Sequence, residues 1–273
     1  MNSEMVPLDK SKGQAGTLVR GGNGCLLVDF DGTISEIVDE PQAARVFPGV
    51  VAALNILATS CHVAIVSGRP VAWLRQIVGS PHLSYVGIHG AQVANGQGPV
   101  VDLTGAAFRS DLASVKVELV QWLESKGHGH GISLEDKGAS LSLHYRRAAD
   151  VASVYRLIHE MLATKELAGV MEVRDGRMVV ELRPAGFDKG GVIKNMVAEV
   201  RPDWLIYAGD DRTDADAFLV AKLIREGGSV KTLTVGVFSQ EWPADAVCSP
   251  DYWASSVSEF AGWLGWLATK SSS

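Results

Sequence analysis

The sequence has few cysteines, no excess of positive charge and no long apolar run. Its three cysteines, Cys25, Cys61 and Cys248, lie far apart and lack the spacing of metal ligands, so they predict small core residues in a reducing compartment. The formal net charge of −6 gives no basic surface, and we expect no nucleic-acid partner. No stretch approaches the roughly 18 apolar residues that a membrane-spanning helix needs, so we expect no membrane contact.

The amino-terminal residues also lack a signal peptide. Residues 1–22 mix charges, glycine and serine, without the apolar segment that marks secretion. We expect a flexible tail there, a cytoplasmic protein and a monomer. Apolar residues make up 47% of the whole sequence, which is enough to bury the cores of one large or two modest domains.

Short apolar runs alternate with helical patterns on both sides of a different middle region. This alternation is typical of parallel βαβ units. The predicted strands cover residues 25–30, 62–68, 83–90, 203–211 and 230–238, and the predicted helices cover 49–60, 69–78, 189–200, 215–224 and 255–269. The last helix carries an apolar stripe, which we interpret as core packing rather than as a partner-binding face. The stripe consists of Phe260, Trp263, Leu264 and Leu267.

The middle region, residues 106–182, follows another pattern. Its predicted elements are a helix over 106–126, a period-two strand over 139–146, a helix over 149–164 and a hairpin over 170–184 that turns at Asp175-Gly176. Helices on an antiparallel sheet indicate a separate α+β unit. We therefore predict an α/β fold in which a parallel-sheet core, residues 23–105 and 183–273, is interrupted by an inserted α+β cap.

Acidic, hydroxyl and amine side chains fall where the predicted core strands end or a core helix begins. Ligands of open parallel sheets bind beyond the carboxyl ends of strands, so these side chains are candidates for one site. They are Asp29 and Asp31 in LLVDFDGT, Ser67 in VSGRP, Lys189 in DKGG, and Asp210, Asp211 and Asp214 in GDDRTD.

Each of these groups has a simpler interpretation when it is taken alone. The aspartates could be turn residues, the serine could cap the next helix, and the lysine could lie at the surface. The Asp29-x-Asp31-x-Thr33 pattern also resembles the start of a calcium loop. Glu40 falls at the last position of such a loop, but Ile34 stands where the loop needs glycine. The joint occurrence of all the groups favours a common site.

These residue types suit the hydrolysis of a phosphate monoester. Such esters react so slowly unaided that catalysis has to supply on the order of 20 kcal/mol. A carboxylate nucleophile divides the reaction into two easier steps, and a second carboxyl can protonate the leaving oxygen and then deprotonate water. Because a carboxylate approaches an anionic phosphate only when the charge is offset, we expect Mg²⁺, with a lysine and a serine on the remaining phosphate oxygens.

The four motifs together resemble those of the haloacid-dehalogenase phosphatase superfamily. More narrowly, the segments FDGTISEIVDEPQAARVFPGV, GIHGAQ, KGASLSLHYR and VVELRPAGFDKG resemble the trehalose-6-phosphate phosphatases. The resemblance implies a Rossmann-like core with a mobile α+β cap. From the core–cap–core order along the chain, we also predict that closure of the cap gates the reaction. The resemblance also implies a magnesium-dependent phosphatase whose substrate is trehalose 6-phosphate.

The resemblance further implies a role for each matching residue. Asp29 would be the nucleophile and Asp31 the general acid/base. The metal would be held by the side chains of Asp29 and Asp210 and the backbone carbonyl of Asp31, with Asp214 and, as a further candidate, Asp211 in support. The phosphoryl group would lie on Ser67 and Lys189, beside Gly68 and Arg69. The sugar-binding candidates are His89 and Gln92 in the core and Lys137, His144, Arg146, Glu181 and Arg183 in the cap.

Several other functions remain as alternatives. Ala215 replaces an acidic residue usual in the family, and Gln92 replaces a glutamate, so the substrate could be another sugar phosphate. Candidates are sucrose phosphate, a glucosylglycerol phosphate and an aminocyclitol–sugar phosphate. The scaffold could also serve as a non-catalytic sugar-phosphate sensor or as a module that binds only metal, and the polar face of the cap strand could simply meet solvent.

Overall fold

The chain divides into two compact units. One consists of Met1–Val101 with Asp188–Ser273, which we call the core unit, and the other is Asp102–Phe187, which we call the cap unit. The computed structural model describes residues 5–38, 40–126, 131–164, 169–176, 178–238 and 247–271. Within these ranges, no helix combines the length and apolar character needed to cross a membrane.

Strands and helices alternate along most of the chain. The strands are β1 (Gly24–Asp29), β2 (His62–Val66), β3 (Ser84–Gly87), β4 (Gln92–Asn95), β5 (Val101–Asp102), β6 (Ser133–Asp136), β7 (Leu141–His144), β8 (Met171–Gly176), β9 (Val179–Pro184), β10 (Trp204–Gly209), β11 (Lys231–Val237) and β12 (Tyr252–Ala254). The helices are α1 (Lys12–Leu18), α2 (Val50–Leu57), α3 (Val71–Val78), α4 (Gly105–Lys126), α5 (Val151–Ala163), α6 (Lys189–Val200), α7 (Arg212–Glu226) and α8 (Val257–Ser271).

The core unit is built on one sheet with the strand order β12-β11-β10-β1-β2-β3-β4-β5. Strand β1 pairs in parallel with β10 on one side and with β2 on the other. The parallel arrangement continues through β11 and β12 and through β3, whereas β4 is antiparallel to β3. The parallel-sheet α/β core predicted from the alternation is therefore confirmed.

Strand β1 is apolar up to its last residue, Asp29, because both faces of its sheet are covered by helices. Leu26 and Val28 point into one apolar layer with α2, α3 and α8, whereas Cys25 and Leu27 point into a second layer with α6 and α7. All four side chains are fully buried. The apolar stripe of α8 lies in the first layer, which confirms its interpretation as core packing.

The first described residues are folded onto the core unit, in contrast to the flexible tail expected over residues 1–22. Leu8 is 1% exposed, and Leu18 of α1 is buried in the same apolar layer as α8. Trp263 Nε1 donates a 2.9 Å hydrogen bond to Ser11 Oγ. The expectation is wrong for this segment because a few scattered apolar side chains anchor a short helix through tertiary packing, which composition alone does not reveal.

The cap unit is an antiparallel sheet in the order β6-β7-β9-β8, with α4 and α5 packed on one face. Alternate residues of the central strands, such as Leu143 and Leu182, point into that apolar layer. Their neighbours along each strand therefore point to the opposite face, which carries hydroxyl and charged groups.

The predicted hairpin of the cap unit is present, but its turn is displaced. The β8–β9 ladder continues to the pair Gly176 and Val179, so Asp175-Gly176 belongs to the strand and the prediction of a turn there is wrong. The Asp175 carboxylate instead accepts a 2.9 Å hydrogen bond from the Tyr155 hydroxyl and lies 2.8 Å from His159 Nε2. These contacts with α5 hold Asp175 within the sheet.

We expect Leu8→Ala to lower the free energy of unfolding by about 2–4 kcal/mol, because it leaves a cavity in a packed apolar layer. The matched control is Leu223→Ala, at a side chain that is 55% exposed, which should change stability by less than about 0.5 kcal/mol. Chemical denaturation followed by tryptophan fluorescence measures both. If both variants changed the free energy of unfolding by equally small amounts, the segment would be a flexible tail, as expected from the sequence.

Candidate active site

Three neighbouring strands of the core sheet present polar side chains at the same edge. Asp29 is the last residue of β1, Ser67 follows the end of β2, and Asp210 follows the end of β10. Because β1 lies between the other two strands and runs parallel to both, the three carboxyl ends meet. The topology therefore gathers these residues where ligands of parallel sheets bind.

Lys189, the first residue of α6, is buried at this edge. Its ammonium nitrogen is 2.9 Å from Asp29 Oδ1 and 2.8 Å from Asp214 Oδ1. Asp188 caps the helix by accepting a 2.7 Å hydrogen bond from the Gly191 N–H, which fixes where α6 begins. Burial disfavours the charged ammonium, but the neighbouring carboxylates outweigh it and raise the pKa of Lys189 well above its ordinary value. Lys189 is therefore a buried cation.

The Asp214 carboxylate is the centre of the hydrogen bonds around this lysine. Its Oδ1 accepts from the Lys189 ammonium at 2.8 Å and from the Tyr207 hydroxyl at 2.5 Å. Its Oδ2 accepts 3.0 Å hydrogen bonds from the backbone N–H groups of Asp210 and Asp211. Burial raises the pKa of Asp214 to about 6, against the attraction of Lys189. With both oxygens engaged, Asp214 holds the lysine and the start of α7 in place.

Three buried carboxylates at this edge can offer oxygen ligands to one cation. Oxygen atoms of Asp29, Asp210 and Asp214 lie within 4.8 Å of one another. Burial, reinforced by the neighbouring carboxylates, raises the pKa of Asp210 well above its ordinary range. A hard divalent cation fits this donor set, because it prefers oxygen and would offset the repulsion. Since Asp214 already accepts four hydrogen bonds, Asp29 and Asp210 would hold the cation directly, with Asp214 in support.

Asp31 is partly exposed and lies against an arginine. The Arg69 guanidinium donates from Nε to one carboxylate oxygen of Asp31 at 2.8 Å and from Nη2 to the other at 2.7 Å. The backbone N–H of Arg69 donates to Ser67 Oγ at 3.2 Å. The Arg69 guanidinium is thus bound to Asp31, and its expected place beside the phosphoryl group stays a prediction.

His89 and Gln92 follow β3 at the same end of the sheet. Ile88 and His89 both have left-handed backbone angles, with φ of 48° and 54°, which is costly for residues that carry a Cβ and is found at functional sites. The His89 ring covers Gly68 so closely that a Cβ there would lie 2.7 Å from Nε2. Gln92 Oε1 accepts a 3.1 Å hydrogen bond from the Val71 N–H. The Gln92 side chain thus pairs with a backbone N–H group at the start of α3, a contact that was not predicted from the sequence.

Glu181 is the centre of a polar cluster on the helix-free face of the cap sheet. Its Oε1 accepts 3.0 Å hydrogen bonds from Lys137 Nζ and Ser140 Oγ, and a 3.5 Å hydrogen bond from Ser142 Oγ. Both serines are fully buried. This part of the face is therefore not a solvated surface, contrary to one alternative left open by the sequence.

The other sugar-binding candidates of the cap unit differ in their surroundings. His144 Nε2 lies 2.8 Å from Glu135 Oε2, with both side chains partly exposed. Arg183 is only 4% exposed, and its Nε donates to Glu172 Oε1 at 2.7 Å. Arg146 is exposed after the end of β7. Arg183 is thus held inside the unit by an ion pair, whereas His144 and Arg146 are accessible.

Tyr207 and Trp73 contribute to the site without having been anticipated. Tyr207 is fully buried in β10 and is bonded to Asp214, and the Trp73 ring lies 4.2 Å from the Arg69 guanidinium carbon. A usable signal existed for Tyr207, because a tyrosine within an otherwise apolar strand needs a partner for its hydroxyl. Trp73 resembles any other apolar residue of an amphipathic helix, so the sequence pattern around it gives no such signal.

A family model described as trehalose-phosphatase matches residues 27–250. The match contains the cap unit and every polar residue of the core edge described above. The chain belongs to the trehalose-phosphatase family. The shared segments thus include both the acidic edge of the core sheet and the Glu181 cluster.

Individual members of the trehalose-phosphatase family align over most of this chain. A trehalose-phosphate phosphatase of Mycobacterium marinum is 35% identical, over 79% of this chain and 57% of that protein, so the chain spans less than two thirds of that relative. The C-terminal domain of C. albicans trehalose-6-phosphate phosphatase superposes with a TM-score of 0.80 at 23% identity, covering 98% of this chain and 99% of that one. An Aspergillus fumigatus trehalose-6-phosphate phosphatase gives 0.67 at 25% identity, covering 97% and 99%.

We expect Asp210→Asn to stabilise the metal-free protein at pH 7. A carboxyl whose pKa is raised on folding costs stability at any pH above its unfolded pKa, because the unfolded chain releases the proton more readily. The amide removes that cost, and the gain should fade as the pH falls toward 4. Thermal unfolding in EDTA measures the effect, with the exposed Asp216→Asn as control.

The same variant should lose the rise in melting temperature that Mg²⁺ gives the wild-type protein, because a ligand of the cation is gone. A metal-free Asp210→Asn protein that is less stable than the wild type, or that keeps the full Mg²⁺ response, would contradict the assignment.

Proposed function

We propose that the protein is a magnesium-dependent phosphatase that hydrolyses trehalose 6-phosphate to trehalose and phosphate through an aspartyl-phosphate. The observation that carries the proposal is the contact at the sheet edge between Asp29 and the buried ammonium of Lys189, with Asp210 alongside. A buried carboxylate beside a fixed cation and a cation-binding carboxylate is suited to attack an anionic phosphate. Membership of the trehalose-phosphatase family supports the choice of reaction and sugar.

Asp29 is positioned to act as the nucleophile. Its Oδ1 is bound to the Lys189 ammonium, whereas its Oδ2 receives a long 3.5 Å hydrogen bond from Thr33 Oγ1 and is the more available oxygen for attack. Lys189 directs two N–H groups to Asp29 and Asp214, and an ammonium has a further N–H for a phosphoryl oxygen. The Ser67 hydroxyl and the Gly68 N–H would bind the other phosphoryl oxygens.

Mg²⁺ held by the side chains of Asp29 and Asp210 and the backbone carbonyl of Asp31 would polarise the phosphoryl group and offset its charge. The protein supplies the alignment. Asp214 fixes the position of Lys189, and its hydrogen bonds to the backbone hold the Asp210 segment against α7. Ser67 is fixed at its backbone by the 2.9 Å hydrogen bond from its N–H to the Val86 carbonyl.

The reaction then proceeds in two steps. First, an oxygen of Asp29 bonds to phosphorus as the bond from phosphorus to the sugar oxygen breaks, and the protonated carboxyl of Asp31 gives its proton to that oxygen. Second, a water oxygen bonds to phosphorus as the bond to Asp29 breaks, and the Asp31 carboxylate takes the proton of the water. Phosphate leaves, and both aspartates return to their starting states.

The sugar is recognised in this proposal by the polar face of the cap unit. Glu181 and Lys137 form a mostly buried ion pair that can exchange hydrogen bonds with sugar hydroxyls. His144 and Arg146 are accessible enough to add contacts. We assign Arg183 to the support of this face through Glu172, because its side chain is almost fully buried.

Phosphate release from a panel of sugar phosphates tests the proposal. We expect trehalose 6-phosphate to exceed glucose 6-phosphate at least about tenfold in kcat/KM, and EDTA to abolish turnover. Asp29→Asn should lower kcat by on the order of 10³ or more, whereas the exposed Asp9→Asn should change it little. Undiminished turnover by Asp29→Asn would contradict the assignment of Asp29 as the nucleophile. Equal kcat/KM for both sugar phosphates would contradict trehalose 6-phosphate as the substrate.

A further inference from the structure

The Arg69 side chain is fixed by three residues, Asp31, Pro41 and Trp73. Two of its nitrogens donate to the two Asp31 oxygens at 2.8 and 2.7 Å, and Nη1 donates to the Pro41 carbonyl at 2.8 Å. Its guanidinium lies over the Trp73 ring, 4.2 Å from the ring centre. Trp73 is itself held, because its Nε1 donates to Gln42 Oε1 at 3.2 Å. The arginine is 13% exposed, so little of it meets solvent.

This geometry orients the Asp31 carboxylate rather than leaving it free to rotate. A guanidinium fork that meets both oxygens of a carboxylate sets its plane and position, and such pairs are stronger and more specific than single hydrogen bonds. Phe30, next to Asp31 in the chain, packs edge-on against Trp73 with ring centres 5.2 Å apart. The Trp73 ring therefore braces both the arginine and the backbone that carries the aspartate.

We propose that Arg69 is a positioning residue that aligns Asp31 for proton transfer, and that it is not a ligand of the phosphoryl group. The inference rests on the proposed function, because it concerns the acid and base steps of that reaction. In the first step the proton passes from Asp31 to the leaving sugar oxygen, and Arg69 stabilises the carboxylate that this leaves. In the second step that carboxylate, held in the same plane, takes a proton from the attacking water.

The N–H groups of Arg69 that already have protein partners favour the positioning role over phosphate binding. Three of its N–H groups already point to Asp31 and Pro41. Other groups are available to the phosphoryl group: Lys189 Nζ lies 2.9 Å from Asp29, and Ser67 follows the neighbouring strand. The phosphoryl site thus has its own cation, and Arg69 serves the acid/base residue.

Two substrates distinguish alignment of the acid from general damage. An aryl phosphate such as p-nitrophenyl phosphate needs no proton on its leaving oxygen, whereas a sugar phosphate does. We expect Arg69→Gln to lower kcat/KM for the sugar phosphate by on the order of 10², while the value for the aryl phosphate stays within about fivefold. Arg69→Lys keeps the charge but not the fork, and it should recover only part of the loss.

A double-mutant cycle with Asp31→Asn tests whether Arg69 acts through Asp31. Residues that act as one unit are not additive, so Arg69→Gln should cost less than about threefold once Asp31 is Asn. The inhibition constant of inorganic phosphate should likewise change less than about threefold in Arg69→Gln. Arg75→Gln is the matched control, because Arg75 lies on α3, which begins two residues after Arg69, and donates to the Gly98 carbonyl, away from the carboxylates.

The possible outcomes separate the inference from the proposed function. The positioning role would be overturned if Arg69→Gln lowered kcat/KM equally with and without Asp31, or equally for both substrates. It would also be overturned if the variant bound inorganic phosphate tenfold more weakly or kept its full turnover of the sugar phosphate. If Arg69→Gln unfolds, Arg69→Lys carries the same comparisons. A wild-type protein that hydrolyses no phosphate ester would overturn the proposed function and the inference with it, whereas an active wild type with additive losses would overturn the inference alone.

Discussion

The placement of one buried ammonium between two buried carboxylates determines the rest of the site. Removing one member of such a group leaves an uncompensated charge in the interior, which costs about 3–5 kcal/mol. Lys189 contacts Asp29 of β1 and Asp214 of α7, so the contact that would prepare the proposed nucleophile also joins two separate segments of the chain. In the proposed mechanism, stability and reactivity therefore depend on the same contact.

The crowding of carboxylates also explains the glycines in the motifs. Gly32 has a left-handed φ of 73°, and a Cβ there would lie 2.0 Å from Asp210 Oδ2. At Gly209 a Cβ would lie 2.1 Å from the Asp214 carboxyl carbon. A side chain at either position would push the carboxylates apart, so glycine is required for the acidic groups to approach one another. The geometry of the proposed cation site thus depends on the backbone as much as on the aspartates.

Most of the core and the sheet edge that carries the candidate site could be predicted from the sequence. Contacts between side chains that are far apart in the sequence could not. Apolar periodicity locates β1 and β10, and parallel pairing then brings Asp29 and Asp210 together. Arg69 and Asp31 are 38 residues apart, and their contact depends on the paths of the short segments that follow β1 and β2, which no local pattern specifies. The amino-terminal helix α1 was not predicted for a related reason: its stability comes from packing against α8, which is distant in the sequence.

The most direct measurement is a crystal structure of the protein with Mg²⁺ and trifluoroberyllate, a mimic of a phosphorylated aspartate. The account predicts beryllium bonded to an oxygen of Asp29, fluorines within hydrogen-bond distance of Lys189 Nζ and Ser67 Oγ, and Mg²⁺ on Asp29 and Asp210. An adduct on another side chain, or Mg²⁺ bound away from these two aspartates, would contradict it.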